Sequence, residues 1–124
     1  MKKCLLFIPA FFLFVSFITG IVPDLIKSLK SGNAHDTAGY FDNTIEITVP
    51  GQSISVDKQK AEVILQNFFR DNPVKDFKVI HQSKNETSEY CIGTLLTTNG
   101  AFRTTIYTKQ KNGQDLVQEL RFEK

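Results

Sequence analysis

Two histidines, His35 and His81, and two cysteines, Cys4 and Cys91, are the residues of this 124-residue chain whose types best suit general-base, nucleophilic or metal chemistry. His81 is the best placed. It follows Phe77 and Val79 at a spacing of two in the extended run Val74–Gln82, so it continues an apolar face and could act there as a base. A base needs an orienting partner, and the pattern places no carboxylate beside His81. It is therefore a lone candidate, and the plainer reading is a histidine at the end of a strand. His35, next to Asp36, reads as the polar start of a short helix. Two histidines and one cysteine on separate elements lack the paired spacing of zinc sites, so no metal and no cofactor is expected. No Gly-x-Ser-x-Gly elbow and no Gly-rich phosphate loop occurs; the seven glycines are scattered.

A ligand pocket is the second possibility, and it depends on strand register. Asn99-Gly100 and Asn112-Gly113 divide Ser88–Lys124 into three extended runs, because Asn tolerates and Gly favours the positive φ of tight hairpins. Two-residue loops would put Glu119 and Arg121 on the face of Ile106. Three-residue loops closed by a G1 bulge instead align Leu96–Phe102–Phe122, Thr94–Thr104–Leu120, Ile92–Ile106–Gln118 and Tyr90–Thr108–Leu116 on a core face free of carboxylates. The sequence thus predicts three-residue loops, with Tyr90, Thr94, Thr104 and Gln118 as the polar groups of a site for a small apolar molecule. The opposite face carries Cys91, Leu95, Arg103, Tyr107 and Val117. That mixture of apolar, aromatic and arginine side chains suits a partner interface, with a homodimer favoured.

Other elements must position these strands. Leu25, Ile26 and Leu29 give a short amphipathic helix after Pro23, stopped by Gly32-Asn33, and His35–Phe41 reads as a second. Thr44–Val49 alternates as a half-buried strand does, and Gln52–Val56 is a short extended piece after the Pro50-Gly51 turn. The main helix runs from about Asp57 to Asp71. Ala61, Ile64, Leu65 and Phe68 repeat at i, i+3, i+4 and i+7, Val63 and Phe69 widen the stripe, and Asn72-Pro73 ends it. The order α-α-β-α-β-β-β-β predicts an α+β fold in which a curved antiparallel sheet wraps around one long helix.

The chain opens with Lys2-Lys3 and an uncharged, Phe-rich run from Leu5 to Val22, the layout of a signal peptide. Residues 1–20 are expected to be removed near Gly20, or retained as a membrane anchor; residues 21–124 then form one domain. Cys4 precedes the apolar run, so it is wrongly placed for lipid attachment. Without Lys2 and Lys3 the basic and acidic residues balance, which gives no footprint for nucleic acid. Cys91 would be the sole cysteine left, open only to an intermolecular disulfide.

Tyr90-Cys91-Ile92-Gly93-Thr94-Leu95, Asn99-Gly100-Ala101-Phe102-Arg103 and Gln118-Glu119-Leu120-Arg121-Phe122 resemble a family of small exported proteins of Bacteroidota, the domain-of-unknown-function family 4783. The element order likewise resembles the cone of nuclear transport factor two-like, or cystatin-like, domains. The resemblance implies that fold, and export to the periplasm or cell envelope of a Gram-negative bacterium. It implies no activity. Enzymes of this fold hold an Asp base or a His–Asp pair inside the cone, and no such pair aligns here. The expectation is an exported, non-catalytic binding module that holds a small apolar molecule in the cone or an envelope protein on the outer sheet. The alternatives are an isomerase- or hydrolase-type enzyme using His81, and a membrane-tethered scaffold. Two modification signals, Asp36-Thr37-Ala38 for O-glycans and Asn85-Glu86-Thr87 for N-glycans, are short enough to arise by chance.

Overall fold

The computed structural model describes residues 20–124, so the expected leader lies outside the described residues. The elements are α1 (Val22–Lys30), α2 (Ala34–Ala38), β1 (Phe41–Val49), β2 (Gln52–Asp57), α3 (Lys58–Asp71), β3 (Val74–Lys84), β4 (Ser88–Thr97), β5 (Gly100–Lys111) and β6 (Gln114–Glu123). The short extended piece after Pro50 is a full strand, because it finds a partner: β2 folds back on β1 as an antiparallel hairpin. The six-stranded sheet runs β2-β1-β6-β5-β4-β3. Its neighbours are antiparallel except β1 and β6, which lie parallel where the two halves of the chain meet.

Helix α3 forms where its apolar spacing required. The Asp57 side chain accepts from the Lys60 N–H at 2.8 Å, capping the first turn. Ala61, Leu65, Phe68 and Phe69 are buried against the sheet, whereas Val63 lies outside the stripe and is 52% exposed. At the other end the Asn72 N–H returns to Phe68 O at 2.9 Å, and Asn99 Nδ2 donates to Asp71 O at 2.7 Å. The β4–β5 turn is thereby tied to the end of α3. Phe41, Phe77, Phe102, Phe122, Leu65, Leu95, Ile106 and Leu120 are each at most 2% exposed. Each such side chain contributes about 1.5–3 kcal/mol of burial free energy, so these rings carry much of the stability.

The loops are shorter than expected, and this inverts one strand. Thr97 pairs with Gly100 across the two-residue loop Thr98-Asn99, and the Thr97 hydroxyl accepts from Asn99 N–H (3.0 Å) while donating to Gly100 O (2.8 Å). That hydroxyl clasp, invisible to a loop-length argument, stabilises the shorter turn. Lys111 pairs with Gln114 across Asn112-Gly113, whose φ of 54° and 77° are both positive, as a type I′ turn requires. Because β4 is shifted by one residue against β5, its inward residues are Cys91, Gly93, Leu95 and Thr97, not Tyr90, Ile92, Thr94 and Leu96. In β6 a bulge follows the Thr108–Val117 pair. Gln118 is the extra residue, after which Ile106 faces Leu120 and Thr104 faces Phe122. The bulge reverses the parity change of the short loop, so Leu120 and Phe122 still point inward.

Candidate functional site

The register divides the expected pocket. Thr104 is fully buried, and its hydroxyl donates to Phe102 O at 3.2 Å. Tyr90 and Thr94 stand on the outer face of the sheet; Tyr90 is 45% exposed and its ring lies 4.6 Å from that of Tyr107. The interior beside Thr104 is filled by aromatic rings. Phe68 stacks on Phe122 at 4.8 Å and meets Phe102 edge-on at 5.1 Å, with Phe69 at 6.2 Å from Phe122. At the open end of this cluster a cleft of about 380 Å³ lies between Val49, Pro50, Ile64, Phe68, Phe102 and Lys124, and Lys124 Nζ caps it by donating to Asn99 O.

The expected interface is divided as well. Cys91, Leu95 and Val117 are fully buried in the core, for the same register reason, while Arg103 and Tyr107 remain on the outer face. Burial raises the Cys91 thiol to about 11, with Glu89 adding to the effect, which makes it a small core hydrophobe and removes it from disulfide chemistry between chains. The outer face therefore reads differently from the expectation. Tyr107 pairs with Tyr90 and Glu119, Thr105 with Ile92 and Arg121, and Arg103 with Thr94 and Glu123. Arg121 bonds Glu123 at 3.0 Å and Glu119 at 3.5 Å.

His81 is also moved. A bulge between Val79 and His81 shifts the ladder, so His81 pairs with Ile92 and shares its outer face instead of entering the cone. It is exposed, on an edge strand. His35 lies 3.1 Å from Glu62 Oε2, not against Asp36, in a solvated pair between α2 and α3. Among the described residues no three His, Cys, Asp or Glu side chains converge as a metal site would need, and no helix is long and apolar enough to cross a membrane. Thr37 is fully buried and bonded to Ser28 at 2.8 Å, so its hydroxyl is closed to an O-glycan in the folded domain.

One polar cluster escaped the sequence pattern. Asp42, 6% exposed, sits where β1 breaks its pairing with β6 between Phe41 and Glu46, opposite the β6 bulge at Gln118. Its Oδ2 accepts from Lys111 Nζ at 2.9 Å and from Gln118 Nε2 at 3.0 Å, and its Oδ1 accepts from Asn43 N–H at 2.7 Å. The Lys111 and Gln118 hydrogen bonds hold the Asp42 carboxyl below its ordinary range. Such a carboxylate is a poor base near neutral pH. It serves to satisfy two facing bulges, and it supplies the partner that the Gln118 amide requires. Only the polar-break signal, Asp42-Asn43 directly after an aromatic pair, could have pointed to it.

A family model, "Domain of unknown function (DUF4783)", matches residues 22–123. The chain belongs to the DUF4783 family. A DUF4783 crystal structure from Bacteroides ovatus is 38% identical, with 81% of this chain and 91% of that one covered at a TM-score of 0.77. A second, from Bacteroides fragilis, is 33% identical, with 81% and 94% covered at a TM-score of 0.76. An NTF2-like protein of unknown function from Cytophaga hutchinsonii shares 10% identity, with 82% and 84% covered at a TM-score of 0.59, a likeness of fold alone. Among curated proteins none matches the sequence. This DUF4783 domain thus has the nuclear transport factor two-like cone, here with its interior occupied by phenylalanine.

Proposed function

We propose that this DUF4783 domain is an exported, non-catalytic binding module whose partner docks on the outer face of the sheet, and that the partner is a second copy of the chain. The filled interior carries the reading: Phe41, Phe77, Phe102 and Phe122 are each at most 2% exposed, so rings occupy the space beside Thr104, and the cleft of about 380 Å³ opens to solvent at their edge. The Lys2-Lys3 start and the apolar run after it support export. An isologous interface must complement itself, and the outer face offers both halves: Tyr90, Tyr107 and Ile92 as apolar ground, with Arg103 and Arg121 beside Glu46, Glu119 and Glu123. An enzyme using His81 finds little support. The buried carboxylate, Asp42, lies on β1, four strand spacings from β3, or about 19 Å.

Sedimentation equilibrium of residues 21–124 tests the reading. The wild-type chain is expected to be a dimer at micromolar concentration, and Tyr90→Lys a monomer with its melting temperature nearly unchanged. A wild-type monomer throughout, or a Tyr90→Lys dimer of unaltered affinity, would refute the second copy as partner.

A further inference from the structure

Two asparagines precede a glycine, Asn99 before Gly100 and Asn112 before Gly113, and both stand exposed at hairpin tips. The glycine bears on the asparagine's covalent fate, because without a side chain its amide nitrogen can approach the asparagine Cγ unhindered. The two sites are built differently. Asn99 is tied at each end. Its Nδ2 donates to Asp71 O at 2.7 Å and to Asn72 Oδ1 at 3.2 Å, its N–H donates to Thr97 Oγ1 at 3.0 Å, and its carbonyl accepts from Lys124 Nζ at 2.8 Å. The glycine after it belongs to the ladder, where Gly100 pairs with Thr97. Asn112 has no such ties: among the described residues its side chain has no hydrogen-bond partner. Gly113 lies in the turn, outside the Lys111–Gln114 pair that closes the ladder, with open space around its Cα.

We infer that Asn112 is a site of spontaneous covalent modification, converting through a succinimide to aspartyl and isoaspartyl forms, and that the fold protects Asn99 from the same reaction. The Gly113 amide nitrogen attacks Asn112 Cγ: the N–Cγ bond forms, the Cγ–Nδ2 bond breaks, and the Gly113 proton leaves with Nδ2 as ammonia. Water then opens the ring. Attack at Cγ restores the ordinary chain with an aspartate, and attack at the main-chain carbonyl carbon leaves the chain running through Cβ and Cγ as isoaspartate. In sum one water is taken up and one ammonia released, with no change of oxidation state. Ring closure requires the Asn–Gly peptide to rotate out of its turn conformation. At Asn112 that motion breaks no side-chain bond. At Asn99 it must break the ties to Asp71 and Asn72 and disturb the Thr97–Gly100 pair. The isoaspartyl form adds a methylene to the main chain of a two-residue loop, and so opens the hairpin at Lys111, whose ammonium donates to Asp42.

The test uses protein expressed from the full chain in a Gram-negative host, extracted with mild detergent where the leader holds it in the membrane. It is aged at mildly alkaline pH, both native and unfolded in concentrated urea. Peptide mapping, with fragmentation that distinguishes isoaspartyl from aspartyl, follows each site. In urea the two asparagines should react at similar rates. In the native protein Asn112 should outpace Asn99 by about thirtyfold, the factor that two ordinary hydrogen bonds impose when both must break first. The isoaspartyl fraction should melt below Asn112→Asp, which adds the same charge without the extra methylene. Equal native rates at the two sites, or no product at Asn112, would overturn the inference. A rate difference that persists in urea would overturn the protection of Asn99 by the fold, and equal melting temperatures would overturn the opening of the hairpin.

Discussion

Gly93 distinguishes the observed register from the expected one, and substituting it reverses sign between them. In the expected register Gly93 lies on the outer face, where alanine would be welcome: glycine in a strand interior costs about 0.5–1 kcal/mol relative to alanine. In the structure it faces inward beneath Phe77. A Cβ there would stand 2.5 Å from Phe77 Cζ and 2.6 Å from the Lys78 carbonyl oxygen. A ring can swing, but the carbonyl belongs to the β3–β4 ladder, so relief requires the edge strand to move. Overpacking of this kind costs about 1–3 kcal/mol, and the backbone contact argues for the upper end. Setting the propensity gain against it leaves Gly93→Ala destabilised by about 2 kcal/mol, or about 8–16 °C in melting temperature for a domain of this size. Thermal unfolding followed by circular dichroism, with urea titration for the free energy, reads this directly. Phe77→Leu removes ring atoms but not the carbonyl, so it should lower the cost of Gly93→Ala by about 1 kcal/mol in a double-mutant cycle. A Gly93→Ala protein as stable as wild type or more so would refute the inward register of β4, and with it the reassignment of Cys91, Leu95 and Tyr90.

Two further predictions concern titration. Asp42 has a folded pKa below its unfolded value, so its contribution is complete above about pH 4 and is lost as pH falls through the folded pKa. Asp42→Asn should cost about 1–2 kcal/mol near neutral pH and flatten the acid limb of stability against pH; an unchanged limb would show that the carboxylate is not held as described. Cys91 behaves oppositely, since its folded pKa is raised to about 11. Its contribution is complete below the ordinary thiol value of about 8.5 and is lost as pH rises toward about 11. Native protein should resist a thiol reagent at pH 8 and react stoichiometrically only after unfolding in guanidinium; rapid labelling of the native state would refute its burial.

What the sequence revealed follows from which signals are local. The main helix, its stop at Asn72-Pro73 and both hairpin positions depend on residues within a few positions of one another, and each stands where the pattern placed it. The faces of β4 could not be read in this way. Cys91, Gly93, Leu95 and Thr97 alternate with Ile92, Thr94 and Leu96, and both sets are apolar enough to be a core. The choice between them came from tertiary contacts. Phe77 needs a partner without a side chain, and Gly93 is that partner; the Thr97 hydroxyl closes the shorter turn. Asp42 and Gln118 were illegible for a related reason, because each satisfies an irregularity in the other's strand that neither segment shows alone.

The same displacement of register determines where function is sought. Moving β4 by one residue carries Leu95 and Cys91 inward, closing the core around Phe77 and Phe102, and carries Tyr90 outward onto Tyr107. Filling the cone and furnishing the outer face are thus a single event, since period-two alternation cannot bury one set without exposing the other. With the interior packed by phenylalanine, the places left for recognition are the cleft beside Phe68 and Phe102 and the outer face of the sheet. On that surface the Tyr90–Tyr107 pair, flanked by arginines and glutamates of adjacent strands, is where the hydrophobic groups that alternation turned outward accumulate.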